Sequence, residues 1–136
     1  GNTYVAYCFA RSQFISMGSY TGNENANGPV VYTVNSLGIP IQPKFVMVKN
    51  TVQSRSWNII DTGVNPEGNL AGPGVMEFDT STAEQTGNTS LWTLDILTGG
   101  FKLRSSHETS NGAEKLIYLA IGTPIIDTSG RIIAGR

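Results

Sequence analysis

No segment of this chain sustains an apolar i, i+3, i+4, i+7 stripe over three helical turns without a glycine or proline breaking it. Short β-branched and aromatic runs recur instead, and they read as strands: Thr3–Phe9, Gln13–Tyr20, Val30–Val34, Phe45–Asn50, Trp57–Asp61, Val75–Phe78, Leu91–Ile96, Phe101–Ser105 and Lys115–Ile121. A final pair, Ile125–Asp127 and Arg131–Ile133, closes the chain. Between the runs stand Gly22–Pro29, Asn65–Asn69, Gly72–Gly74, Gly99-Gly100, Asn111-Gly112 and Ser129-Gly130. Glycine and asparagine reach positive φ cheaply and proline removes a ladder donor, so each cluster ends a strand. Thr98-Gly99-Gly100-Phe101 between two apolar runs predicts a tight hairpin. One helical turn is expected at Ser81–Gln85, where Ser81 caps and Glu84 closes a capping box. Many short strands with frequent turns predict an all-β fold, an antiparallel β-sandwich of jelly-roll-like form with a short C-terminal β-hairpin extension. The expected boundary divides a sandwich at 1–122 from a tail at 123–136.

Alternation within the runs proposes a core. In Phe45-Val46-Met47-Val48-Lys49 both faces are apolar, so this strand should be central and covered on both sides. Phe101 and Leu103 point inward while Lys102 and Arg104 meet water. Trp57 with Ile59, and Trp92 with Leu94 and Ile96, form similar one-sided rows, and Ile117 and Leu119 complete the expected core. Burying such side chains contributes roughly 1.5–3 kcal/mol each.

The 136 residues fit one domain, long enough to bury a core without metal or disulfide. Charged residues make up 14% of the chain, against about 25% in an average soluble protein. Glycine, asparagine, serine and threonine replace them, the residues of turns and neutral polar surfaces. The net charge is -1 with scattered lysines and arginines, which argues against a nucleic-acid partner because phosphate binding needs a concentrated positive field. No run approaches the ~18 apolar residues of a membrane span, so no membrane insertion is expected. No basic-then-apolar leader opens the chain. The lone Cys8 forms no intrachain disulfide, which fits assembly in a reducing bacterial cytoplasm.

The chemistry-bearing residues do not assemble into a catalytic motif, and no enzyme activity, metal or cofactor is expected. His107 lies in the polar connection Ser105–Gly112 beside Glu108; as a metal pair the two would have to point together, which adjacent residues rarely do, so a solvated loop histidine is expected. Cys8, between Tyr7 and Phe9, reads as a buried inert thiol without a base. Glu77 and Asp79 share a strand face and form the one carboxylate pair of glycosidase type. Gly72-Pro73-Gly74 lacks the Lys-Ser or Lys-Thr of a phosphate loop, and the Asn88-Thr89-Ser90 sequon reads as chance.

Several segments carry a resemblance. Tyr4-Val5-Ala6-Tyr7-Cys8-Phe9-Ala10, Met17–Asn23, Asn27–Thr33, Pro43–Lys49, Ser56–Thr62, Leu94–Ser105 and Leu116–Ile121 follow one another collinearly over residues 3–121. Together they resemble a β-rich domain of tailed-bacteriophage tail fibre, collar and other virion proteins, departing from it at Glu24–Asn27 and Asn35–Gln42. The resemblance implies a virion location and no catalytic residues. Within the chain, Gly1–Tyr7 echoes Gly112–Ala120, and the two are expected to lie side by side and close the sheet; the resemblance adds that such units are strung in tandem, one unit's last strand reading into the next.

Three functions follow as expectations. The first is a tail fibre or tail-associated module that recognises a host-surface glycan, through exposed polar and aromatic loops acting multivalently. The second is a capsid decoration or cement protein whose partners are only other virion proteins. The third, a polysaccharide depolymerase, needs an acid pair in a cleft. The tail is expected to serve oligomerisation or docking. Ile125, Ile126, Ile132 and Ile133 flank the Asp127–Gly130 turn, and an isolated hairpin with an apolar face wants a partner. The segment resembles hairpin repeats of phage fibres that wind as trimers, so a homo-oligomer, favouring a trimer, is expected. The alternative is a hairpin folded back on its own domain.

Overall fold

The computed structural model describes residues 1–10, 12–64, 75–84, 93–126 and 129–131. Eight strands and one helical turn are present among them: β1 (Ile15–Thr21), β2 (Val30–Tyr32), β3 (Ile41–Asn50), β4 (Asn58–Asp61), β5 (Val75–Glu77), β6 (Leu94–Leu97), β7 (Gly100–Leu103), α1 (Glu108–Asn111) and β8 (Lys115–Pro124). All strand pairs are antiparallel. They form a five-stranded sheet, β1-β8-β3-β4-β5, and a three-stranded sheet, β2-β7-β6. The protein is an all-β sandwich. First strand beside last, and second beside next to last, is the nested winding of a jelly roll; here β4 and β5 stay in the larger sheet.

The core lies between the sheets. Val46 and Val48 of β3, Leu116 and Ala120 of β8, Val31, Leu94, Phe101 and Leu103 are all buried there, with Ile41. The inward rows are apolar because side chains alternate across a strand and one face meets the other sheet. Tyr118 stands edge-on to Phe101, with ring centroids 5.5 Å apart. The expected hairpin forms: Leu97 pairs with Gly100 across Thr98-Gly99, and Gly99 adopts φ 82°. At Gly122 the neighbouring strand comes so close that an added Cβ would lie 1.9 Å from the Gln42 carbonyl oxygen. The β3–β8 register shifts at this point, between Pro43 and Phe45.

Several expectations are overturned. Thr3–Phe9 belongs to neither sheet, and residues 1–10 are exposed. The echo between the termini therefore does not become a strand pair: both edges of β8 are already taken, by β1 and β3. Residues 81–84 contain no helix, whereas the connection read as purely polar loop holds α1. Thr123 and Pro124, assigned to the tail, continue β8. Leu91, Trp92, the Asn88 sequon and Gly72–Gly74 fall outside the described residues.

Among the described residues no helix is long and apolar enough to cross a membrane.

Candidate functional site

Paired residues on neighbouring strands face the same side of a sheet, so the ladder register writes out the outer surface of the larger sheet. One row runs Met17–Leu119–Met47–Ile59–Met76 across all five strands. It contains the chain's three methionines. The next row runs Ile15–Ile121–Phe45 and ends on Asp61. A sheet face turned to solvent is ordinarily polar; these two rows are apolar except at Asp61.

Over these rows lies a trough of about 600 Å³. Phe45 and Met47 of β3 and Leu119 and Ile121 of β8 line its floor. Trp57, Phe78 and Asp79 form a wall where β4 and β5 prolong their pairing: the Phe78 N–H donates to the Trp57 carbonyl at 2.9 Å, and the Trp57 N–H donates to Asp79 Oδ1 at 3.1 Å. The third side is the N-terminal arm, residues 1–10, which places Val5, Tyr7 and Phe9 in the trough. Spacing of two residues is the signature of extended chain, whose alternate side chains share a face. The alternation seen in the sequence is real, but it serves packing across the sheet and not a ladder. Tyr7 meets Phe78 edge-on with centroids 5.5 Å apart.

At another region of the surface, buried asparagines fasten the loops. Asn111 is fully buried; its Nδ2 donates to Asn23 Oδ1 at 3.0 Å and to the carbonyls of Asn25 and Ser105 at 2.8 Å, while Oδ1 accepts the Asn23 N–H at 3.0 Å. Asn50, also fully buried, donates to the Glu108 carbonyl at 2.8 Å and accepts the N–H groups of Val52 and Gln53. Asn35 accepts from Leu37 and Ile39 and donates to the Gln13 carbonyl. Tyr20 donates to the Ser110 carbonyl at 2.6 Å, and burial pushes its phenol far above the ordinary value, so it stays a donor.

The singled-out residues are dispersed. His107 is partly buried and caps α1: its Nδ1 accepts the Thr109 N–H at 3.3 Å, which replaces the expected solvated loop histidine. Burial, and secondarily Arg55, lower its pKa. Glu108 is paired with Arg55. Cys8 is exposed on the arm, not buried in a strand, because the arm lies outside both sheets. Glu77 accepts the Thr80 hydroxyl at 3.1 Å, and Asp79 the Trp57 N–H. Of the two, Asp79 alone lines the trough. Among the described residues no three metal-ligating side chains gather. In the tail, the Ile125 N–H donates to the Pro40 carbonyl at 2.9 Å, and Ile126 is 48% exposed. Ile132 and Ile133 lie outside the described residues. The sequence reading missed Met17 and Met76; period-two alternation along Gln13–Tyr20, which sets Met17 opposite Ser16, is the signal that finds the first.

Residues 1–123 match the model of a family described as a domain of unknown function, DUF7483. The chain belongs to the DUF7483 family. The matched residues take in the arm, the smaller sheet, all of the larger sheet except Pro124, and every residue named in the trough. No curated protein and no solved structure matches the chain.

Proposed function

We propose that this DUF7483 chain is a non-catalytic structural module of a bacteriophage particle, part of a tail fibre or tail-associated protein, that works by surface contact. The observation that supports it most is the outer apolar row, Met17–Leu119–Met47–Ile59–Met76, on a face that no second sheet covers. Methionine is flexible and polarisable, and surfaces rich in it accommodate partners by repacking. The phage reading itself rests on the collinear resemblance over residues 3–121, whose segments fall on the arm, β1, β2, β3, β4, the β6–β7 hairpin and β8.

The trough suits a protein partner better than a sugar. Glycan sites set several hydrogen-bonding groups around an aromatic platform, whereas among the described residues Asp79 is the one charged side chain lining this trough. Asn35, Asn50 and Asn111 are occupied in holding loops. Host-glycan contact therefore falls to exposed turns such as residues 23–27. This apolar lining also favours the second reading, a capsid decoration protein contacting other virion proteins alone. The exposed Ile126 starts the stretch through which the tail would dock.

Immunogold labelling of purified particles with antibody against this chain tests the assignment. Label on tails is the expected result; label over the capsid surface selects the decoration role; unlabelled particles overturn both. Turnover of a surface polysaccharide by the purified protein would overturn the non-catalytic part.

A further inference from the structure

We infer that the trough is the seat for the N-terminal arm of a second copy of this chain, and that copies are joined by exchanged arms. The inference concerns how copies bind one another and holds or fails independently of the particle they build.

The arm itself shows what the trough accepts: an extended segment with apolar side chains at alternate positions, here Val5, Tyr7 and Phe9. Yet the arm fits its own trough poorly. Val5 remains 78% exposed, Tyr7 67% and Phe9 45%, and about 600 Å³ stays open between arm and sheet. No ladder holds the arm down, since residues 1–10 belong to neither sheet. Its root, by contrast, is fixed. The Gln13 carbonyl accepts Asn35 Nδ2 at 2.8 Å, the Phe14 carbonyl accepts the Gly122 N–H at 2.9 Å, and Phe14 N–H donates to Ser12 Oγ at 3.1 Å. An arm tethered this close to β1 cannot slide along the face to fill it.

An arm arriving from another copy is rooted on that copy, so the position that the receiving chain's own root imposes does not limit how deeply its side chains seat. Fully extended, ten residues span ~33 Å, enough to cross to a neighbouring molecule. The side chains that enter are the ones the monomer already turns toward its own trough, so exchange needs no new recognition element and changes only how deeply they seat. Moving several aromatic and aliphatic side chains out of water supplies the driving force. Each copy both gives and receives an arm, so a reciprocal pair or a ring satisfies every arm.

The single cysteine makes the test direct, because Cys8 sits exposed on the arm. Wild-type chain is mixed with a Cys8→Ser, Asp79→Cys variant, refolded together and treated with a short bismaleimide. No molecule in the mixture carries both thiols, so an arm-to-trough bridge forms only between copies. In parallel, the mass of the wild-type chain and of Tyr7→Asp is measured by light scattering over a range of concentrations. Arm exchange gives bridged wild-type–variant pairs, a wild-type mass that is a multiple of one chain, and dissociation at least about tenfold easier in Tyr7→Asp. A wild-type chain that stays monomeric to about 100 µM, or an oligomer without bridged pairs, overturns the inference.

Discussion

Replacing Asn111 by alanine tests how much of this fold hangs on buried polar latches. Asn111 is 0% exposed and ends α1, and its amide serves three carbonyl-type acceptors and one N–H donor. The Ser105 carbonyl belongs to a residue 2% exposed, so losing its donor leaves it stranded, at a cost of ~1–3 kcal/mol. Asn23 and Asn25 are exposed and recover water, so their lost bonds cost ~0.5–1 kcal/mol each. Together, with three bonds to Asn23 and Asn25, Asn111→Ala should lose ~2.5–6 kcal/mol, a large share of a typical ~5–15 kcal/mol stability. Asn111→Asp keeps the acceptor but turns an oxygen toward the three acceptors, and should lose at least as much. Urea unfolding followed by tryptophan fluorescence measures both, with an unchanged slope expected. A loss below ~1 kcal/mol in the alanine variant would refute the latch argument, since the bonds would then be replaceable by water.

Stability should also respond to pH through His107. Its folded pKa lies below the ordinary ~6.5, so folding favours the neutral ring. The associated stability is complete above that value and falls as pH drops from ~6.5 toward the folded pKa. His107→Asn retains a capping acceptor for the Thr109 N–H and should flatten this decline; parallel urea midpoints from pH 7.5 to 4.5 for both proteins would contradict it. Gly122→Ala drives a Cβ to 1.9 Å from the Gln42 oxygen, a backbone atom that cannot swing aside. It should cost about 2 kcal/mol or more, read as a fall in melting temperature, and an unchanged temperature would show that the bulge yields.

The two faces of β3 were legible in Phe45-Val46-Met47-Val48, because strand alternation exposes both at once. Its neighbours confirm the central position: β8 on one side and β4 on the other. What covers the second face was not legible. Val46 and Val48 meet the smaller sheet, whereas Phe45 and Met47 face the trough that the arm borders, and an arm and an edge strand share the same period of two. Nothing in Tyr4–Phe9 says whether its backbone is paired. α1 escaped because a single turn has no periodicity, and its cap is a histidine, outside the usual Ser, Thr, Asp and Asn set. Asparagines at 35, 50 and 111 read as neutral surface, yet each is buried. Side-chain bonding to nearby backbone is what asparagine does best in loops, and burial strengthens the effect. The methionine row depends on register between strands far apart in sequence, which a pattern along one strand cannot supply.

The most direct measurement is the copy number of this chain in purified phage particles, by quantitative mass spectrometry, for wild type and for Met47→Glu. Met47 lines the trough floor at the middle of the apolar row, so a carboxylate there opposes docking while leaving the inner core, Val46 and Val48, untouched. The account predicts wild-type chain at a fixed number per particle and, with the folded variant, at least about a tenfold loss of incorporation. Particles that lack the wild-type chain, or that take up folded Met47→Glu equally well, would contradict it.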